Sequence, residues 1–350
     1  MPRCTLQQYC CLERPYSSTS DAAVATMKTT AANKLLSIVI VNWKVRELLR
    51  ECLRSIYGNT ALARERYEVV VVDNASDDGS TDMMRQAFPE VKVIENRRNV
   101  GFGAANNQAM PCCSGEWILL LNPDTLVRPG AIDRMLEKIQ SSPRIAVLGC
   151  RLENADGTLQ RWTGGAFPNY RNLLGHYFFL DRLLPAAWRP APLYLDRDAR
   201  EDLQVGWVSG ACMLLRRGMV DGEIFNPQFF MYGEDMELCY RMRKAGHDVV
   251  YTPAASIVHF QGESMKQQEG EIMLSSLKGP RQFFLMTHGR GGIRLYDWIT
   301  LGGFAVRGLL YSAAAFAGVR RMRARAASSW RYAGIVRRLM RADRMPSGDV

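Results

Sequence analysis

The feature that most constrains this chain is an alternation of short, β-branched apolar runs with stretches of helical periodicity. The first run, Leu36-Ser37-Ile38-Val39-Ile40-Val41-Asn42, is almost unbroken in apolar character and therefore predicts a strand covered on both faces. Similar runs recur at 68–72, 91–94, 117–121 and 145–148, separated by helical patterns at 45–57, 81–88, 104–110 and 130–139. That order predicts an α/β fold on a mostly parallel, Rossmann-like sheet flanked by helices. Ligands then sit where loops leave the carboxyl ends of the strands. Here those loops open with Asn42, with Asp73-Asn74-Ala75-Ser76, with residues 96–103, and with Asn122-Pro123-Asp124.

Residues 149–204 are rich in Arg, aromatic residues and Pro with poor periodicity, and read as an insertion with short helices. Beyond it, 206–216 reads as a strand, 234–245 as a helix, and 249–251 and 256–260 as short strands continuing the same sheet. The expected organisation is a disordered leader over 1–33, a catalytic domain over 34–290 and an apolar helix with an Arg-rich tail over 291–350. The domain divides into a donor half near 34–150 and an acceptor half near 151–290.

Net charge is +10, but residues 320–350 hold nine Arg against Asp343 and Asp349, so the tail accounts for +7 of it. The basicity does not mark a nucleic-acid surface. Nine scattered Cys without ligand spacing argue against a disulfide framework or structural zinc, and the hydrophobic content of 47% excludes a polytopic membrane protein. The leader lacks the apolar run of a secretion signal.

Four constellations could carry chemistry. In Asp73 to Ser80, a carboxylate at a strand end can accept the N3 hydrogen of a buried uracil or thymine ring, with Ser80 placed to cap the next helix; an Asx-rich turn is the alternative. Asn99 to Asn106 holds glycines, Gly101 among them, that let backbone approach a ligand at a helix start. Asp124 is either the single carboxylate that seats a divalent cation beside a diphosphate, or a turn residue capping a helix. In Glu234-Asp235-Met236-Glu237, Glu237 pairs with Arg241 along the helix, while Asp235 is either a general base or part of the helix-dipole pattern. A single His such as His259 is more often an interior hydrogen-bonded residue than a ligand, and both readings stand on the local sequence.

The ordered series resembles the family 2 inverting glycosyltransferases of GT-A fold, within them the rhamnosyltransferase-like group. It comprises Asp73, the Gly/Asn loop, Asn122-Pro123-Asp124, Trp207-Val208-Ser209-Gly210, Gly233-Glu234-Asp235 and His259. The resemblance runs from about Leu35 to Ser264 and implies transfer of a sugar, possibly rhamnose, from a nucleotide diphosphate sugar to a polyprenyl diphosphate-linked glycan. It implies Asp73 at the nucleotide base, Asn42, Asn74, Ser76, Asn99, Gly101, Asn106 and Asn122 along the donor, and Asp124 with His259 at an Mg2+ or Mn2+ ion. Asp235 is implied as catalytic base with Glu234 beside it, and Trp207, Ser209 and Gly210 under the acceptor. The chain departs from the family pattern in having Asn-Pro before Asp124, Ile224-Phe225-Asn226-Pro227 before the Phe-Phe-Met-Tyr segment, and Gly206 before Trp207. Two other functions fit parts of the series: a sugar nucleotidyltransferase, and a non-catalytic nucleotide-sugar-binding protein on a degenerate transferase fold.

Residues 298–319 have the length of a bilayer span, about 20 residues, yet carry Arg307 near the middle. An interfacial helix, a helix docked on protein and a true span all fit this pattern. The Arg strip that follows, from Arg320 to Arg344 with Trp330 and Tyr332, suits an anionic membrane surface, placing the chain at the cytoplasmic face of the inner membrane.

Overall fold

The computed structural model describes residues 34–195, 198–220, 222–260 and 269–342. The expected leader, the end of the resembling stretch beyond Phe260, and Arg344 lie outside the described residues.

The strands are β1 (Leu36–Asn42), β2 (Tyr67–Asp73), β3 (Lys92–Glu95), β4 (Trp117–Leu121), β5 (Thr125–Val127), β6 (Ile145–Glu153), β7 (Gly164–Gly165), β8 (Leu203–Gln204), β9 (Trp207–Val208), β10 (Cys212–Arg216) and β11 (Asp248–His259). The helices are α1 (Arg46–Asn59), α2 (Ser80–Ala87), α3 (Phe102–Ala109), α4 (Ala131–Gln140), α5 (Tyr170–Tyr177), α6 (Leu180–Leu183), α7 (Glu234–Lys244), α8 (Glu269–Phe316) and α9 (Met322–Ala342).

The main sheet runs β3-β2-β1-β4-β10-β6-β11-β5, with β8 also beside β11, while β7 and β9 form a separate ribbon. β3, β2, β1 and β4 are parallel, as alternating strands and helices require. The continuous apolar run of β1 has a direct cause. Leu36, Ile38 and Ile40 enter the layer containing Leu49, Leu53 and Ile56 of α1, whereas Val39 and Val41 enter the opposite layer with Ala105 and Ala109 of α3. All seven residues of β1 are buried.

The second half joins the sheet through β10, antiparallel to both β4 and β6. The run expected as one strand over 206–216 breaks at Ser209–Ala211, because β9 pairs with β7 before the chain turns into β10. The two short strands expected over 249–260 form one, β11, with an irregularity between Thr252 and Ser256 that accommodates Pro253. Ser80 does not cap α2. It is the first helical residue, and its N–H and hydroxyl both donate to Asp78 Oδ1.

The apolar stretch at 298–319 belongs to a longer element. Residues 273–316 are long and apolar enough to cross a membrane by length and composition. However, α8 is broken at Gly289 (φ 69°, ψ −178°) and its two arms fold against each other. Arg281 donates through Nε and Nη2 to the two oxygens of Asp297, 2.8 Å each, and Phe284 packs on Tyr296 with ring centres 4.8 Å apart. Arg307 reaches back to α5, donating to the carbonyls of His176 and Tyr177 while lying over the Tyr177 and Phe179 rings. This arginine therefore clamps α8 to the body of the protein. α9 packs alongside, placing Ala333, Ile335 and Val336 against Met273, Leu277 and Leu301.

Asp297 is 3% exposed, so removing its partner leaves a buried charge. Arg281→Met is expected to destabilise the fold by about 3 kcal/mol, read as a lower urea midpoint; an unchanged midpoint would show that the two arms do not depend on this ion pair.

Candidate active site

The site lies at the carboxyl ends of the central strands. Asn42 and Asp73 are cross-strand partners at the ends of β1 and β2. Asn42 Nδ2 donates to Asp73 Oδ1 (2.7 Å) and to Ser76 Oγ (3.2 Å), and the Ser76 N–H donates to Asp73 Oδ2 (2.8 Å). Burial raises the Asp73 pKa, opposed by these bonds from Asn42 and Ser76. Asn42 Oδ1 is a buried acceptor left without a partner.

A cavity of about 400 Å³ opens beside this cluster. Its wall includes Asn74, Asn99, Asn122, Asp124, Trp207, Ser209, Gly210, Glu234, Asp235 and His259. Residues separated by up to 185 positions thus share one space. Five expected donor residues do not line it: Asn42, Asp73 and Ser76 form the hydrogen-bonded cluster behind Asn74, and Gly101 and Asn106 are used structurally. Gly101 has φ +90°, and a Cβ there would lie 2.5 Å from the Phe230 carbonyl oxygen, so protein backbone rather than a ligand makes the close approach. Asn106 is buried, and its Nδ2 donates to the Phe102 carbonyl one helical turn earlier.

Strand pairing brings Asp124 and His259 together. β11 runs antiparallel to β5 with His259 opposite Thr125, and the Phe260 N–H donates to the Asp124 carbonyl. His259 Nε2 lies 3.3 Å from both Asp124 Oδ1 and Asn122 Nδ2. Gln160, which sequence reasoning missed, sets the tautomer: its Nε2 donates to the His259 carbonyl, leaving Oε1 to accept from Nδ1 at 2.9 Å. Nε2 is thereby aimed at Asn122 and Asp124 on the cavity side. Asp124 caps no helix, because α4 begins at Gly130 without a side-chain cap. Among the described residues no group of three or more His, Cys, Asp and Glu could hold a metal ion. The carboxylate and imidazole fit an ion that draws its remaining ligands from phosphate and water.

The carboxylates of α7 face the same cavity. Tyr232 (φ 66°) and Gly233 (φ 91°) form a left-handed turn immediately before Glu234. Asp235 accepts from the Met236 N–H (2.8 Å) and the Gly210 N–H (3.3 Å). Desolvation raises the pKa of both acids, opposed in each by backbone N–H groups, and the Asp235 charge raises Glu234 further. Glu237 pairs with Arg241 at 2.9 Å, which accounts for it structurally.

Trp43, Trp162, Tyr194, Ser276, Pro280 and Tyr332 also line the cavity. The aromatic richness of 149–204 signals the second and third of these. No local pattern marks the last three, which arrive through packing of α8 and α9.

These features converge with sequence comparison. The sequence model for glycosyl transferase family 2 matches residues 37–222, more than half of the chain. The chain belongs to that family. This glycosyltransferase is 29% identical over 293 residues to the N-acetylglucosaminyl-diphospho-decaprenol L-rhamnosyltransferase of Mycobacterium tuberculosis, covering 78% of this chain and 91% of the relative. It is 24% identical over 234 residues to rhamnosyltransferase WbbL of Escherichia coli, covering 65% and 83%. Among solved structures it resembles the mannosyltransferase PcManGT from Pyrobaculum calidifontis, solved with GDP-Man and Mn2+, at TM-score 0.56 and 16% identity over 87% of each chain. That likeness shows the GT-A fold.

The Gly233 turn rests on Gly279 of α8, where a Cβ would lie 1.9 Å from the Tyr232 carbonyl oxygen. Gly279→Ala must displace the turn carrying both acids. Sugar transfer is expected to fall at least about tenfold in a rate assay, and an unchanged rate would show that α8 does not position α7.

Proposed function

We propose that this glycosyltransferase moves a hexosyl group, a deoxysugar such as rhamnose, from a nucleoside diphosphate to a hydroxyl of a saccharide carried on a polyprenyl diphosphate, with inversion at the anomeric carbon. The observation that carries this reading is the shared cavity, whose lining includes Asp124, His259 and Asp235. The names of the two rhamnosyltransferase relatives, one specifying a decaprenol diphosphate acceptor, support the substrate class.

In this mechanism the acceptor hydroxyl attacks the anomeric carbon as the bond to the diphosphate breaks, and its proton passes to Asp235. Ionised Asp235 is held by the Gly210 and Met236 N–H groups, so the base is oriented before substrate arrives. Burial raises both acids, so a second negative charge on the pair is disfavoured, and Asp235, held by two backbone N–H groups, is the member assigned as base. One base and no covalent enzyme intermediate give inversion. Asn74 and Asn99 line the donor end of the cavity, and the pyrimidine N3–H is assigned to the Asp73 carboxylate in the cluster next to Asn74. Asp124 Oδ1 and His259 Nε2 would hold Mg2+ or Mn2+, which when bound neutralises charge on the departing diphosphate.

The outer face of the C-terminal helices supports action at a membrane surface. Leu309, Leu310, Phe316 and Trp330 are exposed, and Arg320, Arg321, Arg323 and Arg325 are exposed beside them. Apolar side chains flanked by arginine suit an anionic bilayer met in its plane, at the cytoplasmic face of the inner membrane. Cosedimentation with vesicles containing phosphatidylglycerol is expected to fall when Arg320, Arg321 and Arg323 are replaced by Glu; undiminished binding would remove the basic strip from the account.

Asp235→Asn is expected to lower kcat by about 10²–10⁴-fold while nucleotide stabilisation of the native state is retained. Because Asp235 acts ionised and its pKa is raised, the wild-type rate is expected to fall as pH drops through a midpoint above the ordinary Asp range. An unchanged rate in the Asn variant would exclude the base role. The part of the nucleotide-induced melting shift that requires Mn2+ is expected to vanish in Asp124→Ala.

A further inference from the structure

We propose that Tyr332 of α9, with Trp162, Tyr194 and Trp207, forms an aromatic wall that seats the acceptor's pyranose ring, so that the acceptor subsite is incomplete without the C-terminal helix. The inference rests on the transferase reading and assigns the acceptor's contacts to residues from three remote parts of the chain.

Tyr332 reaches the cavity wall beside Ser276 and Pro280 of α8. Its ring stacks on Phe304 with centres 4.9 Å apart and planes 11° from parallel, and its neighbours Ala333, Ile335 and Val336 are buried. The ring is therefore fixed in place before a ligand arrives. Across the insertion, Trp162 meets Tyr194 edge to face at 4.3 Å, and Tyr194 meets Trp207 at 5.9 Å and 88°. Trp162 lines the cavity and is 50% exposed, leaving about half of a large apolar side chain open to a ligand.

The polar atoms of the cavity complete the match. Trp207 Nε1 is a buried donor and Glu234 Oε2 a buried oxygen, and neither has a hydrogen-bond partner among the described residues. Both residues line the cavity, so a ligand hydroxyl there can supply the partner. A pyranose presents hydroxyls that donate and accept around its edge and C–H groups on its face, which complements unpartnered polar atoms set among aromatic rings. The wall lies on the base's side of the cavity, since Trp207 is three residues from Gly210, whose N–H bonds Asp235.

The test is calorimetric titration of the full chain with farnesyl diphosphate carrying one N-acetylglucosamine, alongside dTDP-induced thermal stabilisation. Tyr332→Ala and Trp162→Ala are each expected to weaken probe binding about tenfold, while Tyr332→Phe, which keeps the ring, stays within about twofold. The dTDP shift is expected to be the same in all variants. Wild-type affinity in Tyr332→Ala, or an equal loss in Tyr332→Phe, would overturn the stacking role. Should Tyr332→Ala lower the melting point sharply, Trp162→Ala decides, because its ring is half exposed; unchanged affinity there would overturn the wall. A wild type that binds the probe but shows no dTDP shift would sink the donor-site reading while still scoring the wall.

Discussion

The structure depends on β10 lying antiparallel between β4 and β6. Met213, Leu214 and Leu215 pair with both neighbours, tying the parallel first part of the sheet to β6 and, through it, to β11, which ends in His259. The turn entering β10 contains Ser209 and Gly210, and the Gly210 N–H fixes Asp235. On the other side, the Asn122 N–H donates to the Ala211 carbonyl, anchoring the loop that carries Asp124. One buried strand thus sets the relation between Asp235 and the Asp124–His259 end of the cavity. Its core residues are almost fully buried, as such a joint requires.

The sheet and the loops at its carboxyl edge were legible in the sequence because a parallel strand covered on both faces must be apolar throughout, as β1 and β2 are. The elements misjudged were those whose boundaries come from tertiary pairing. Residues 206–216 read as one strand, yet pairing of Trp207 and Val208 with a glycine ribbon forces the break that creates the site. Gly101 and Asn106 carry the residue types of a ligand loop, and in the fold Gly101 packs against the Phe230 carbonyl while the Asn106 amide donates to the Phe102 carbonyl.

The link between Asp124 and His259, 135 residues apart, could be read from order and resemblance but not from spacing. Gln160, which fixes the imidazole, carries no signal at all. The C-terminal region shows the same limit more strongly. An apolar helix followed by arginines suggests a membrane device, and its outer face retains that character. Its inner face, however, is fastened to the body of the protein by the Arg307 contacts, with its two arms tied by Arg281 and Asp297, and delivers Ser276, Pro280 and Tyr332 to the cavity. Composition describes the face a helix shows to solvent better than the face it buries.

Direct attack assisted by one carboxylate is the centre of this account, and the stereochemistry of the product tests it most directly. Proton NMR of the freshly formed glycosidic bond is expected to show the anomeric configuration opposite to that of the donor sugar. Retention of the donor's configuration would contradict a single-base displacement and would require a different role for Asp235.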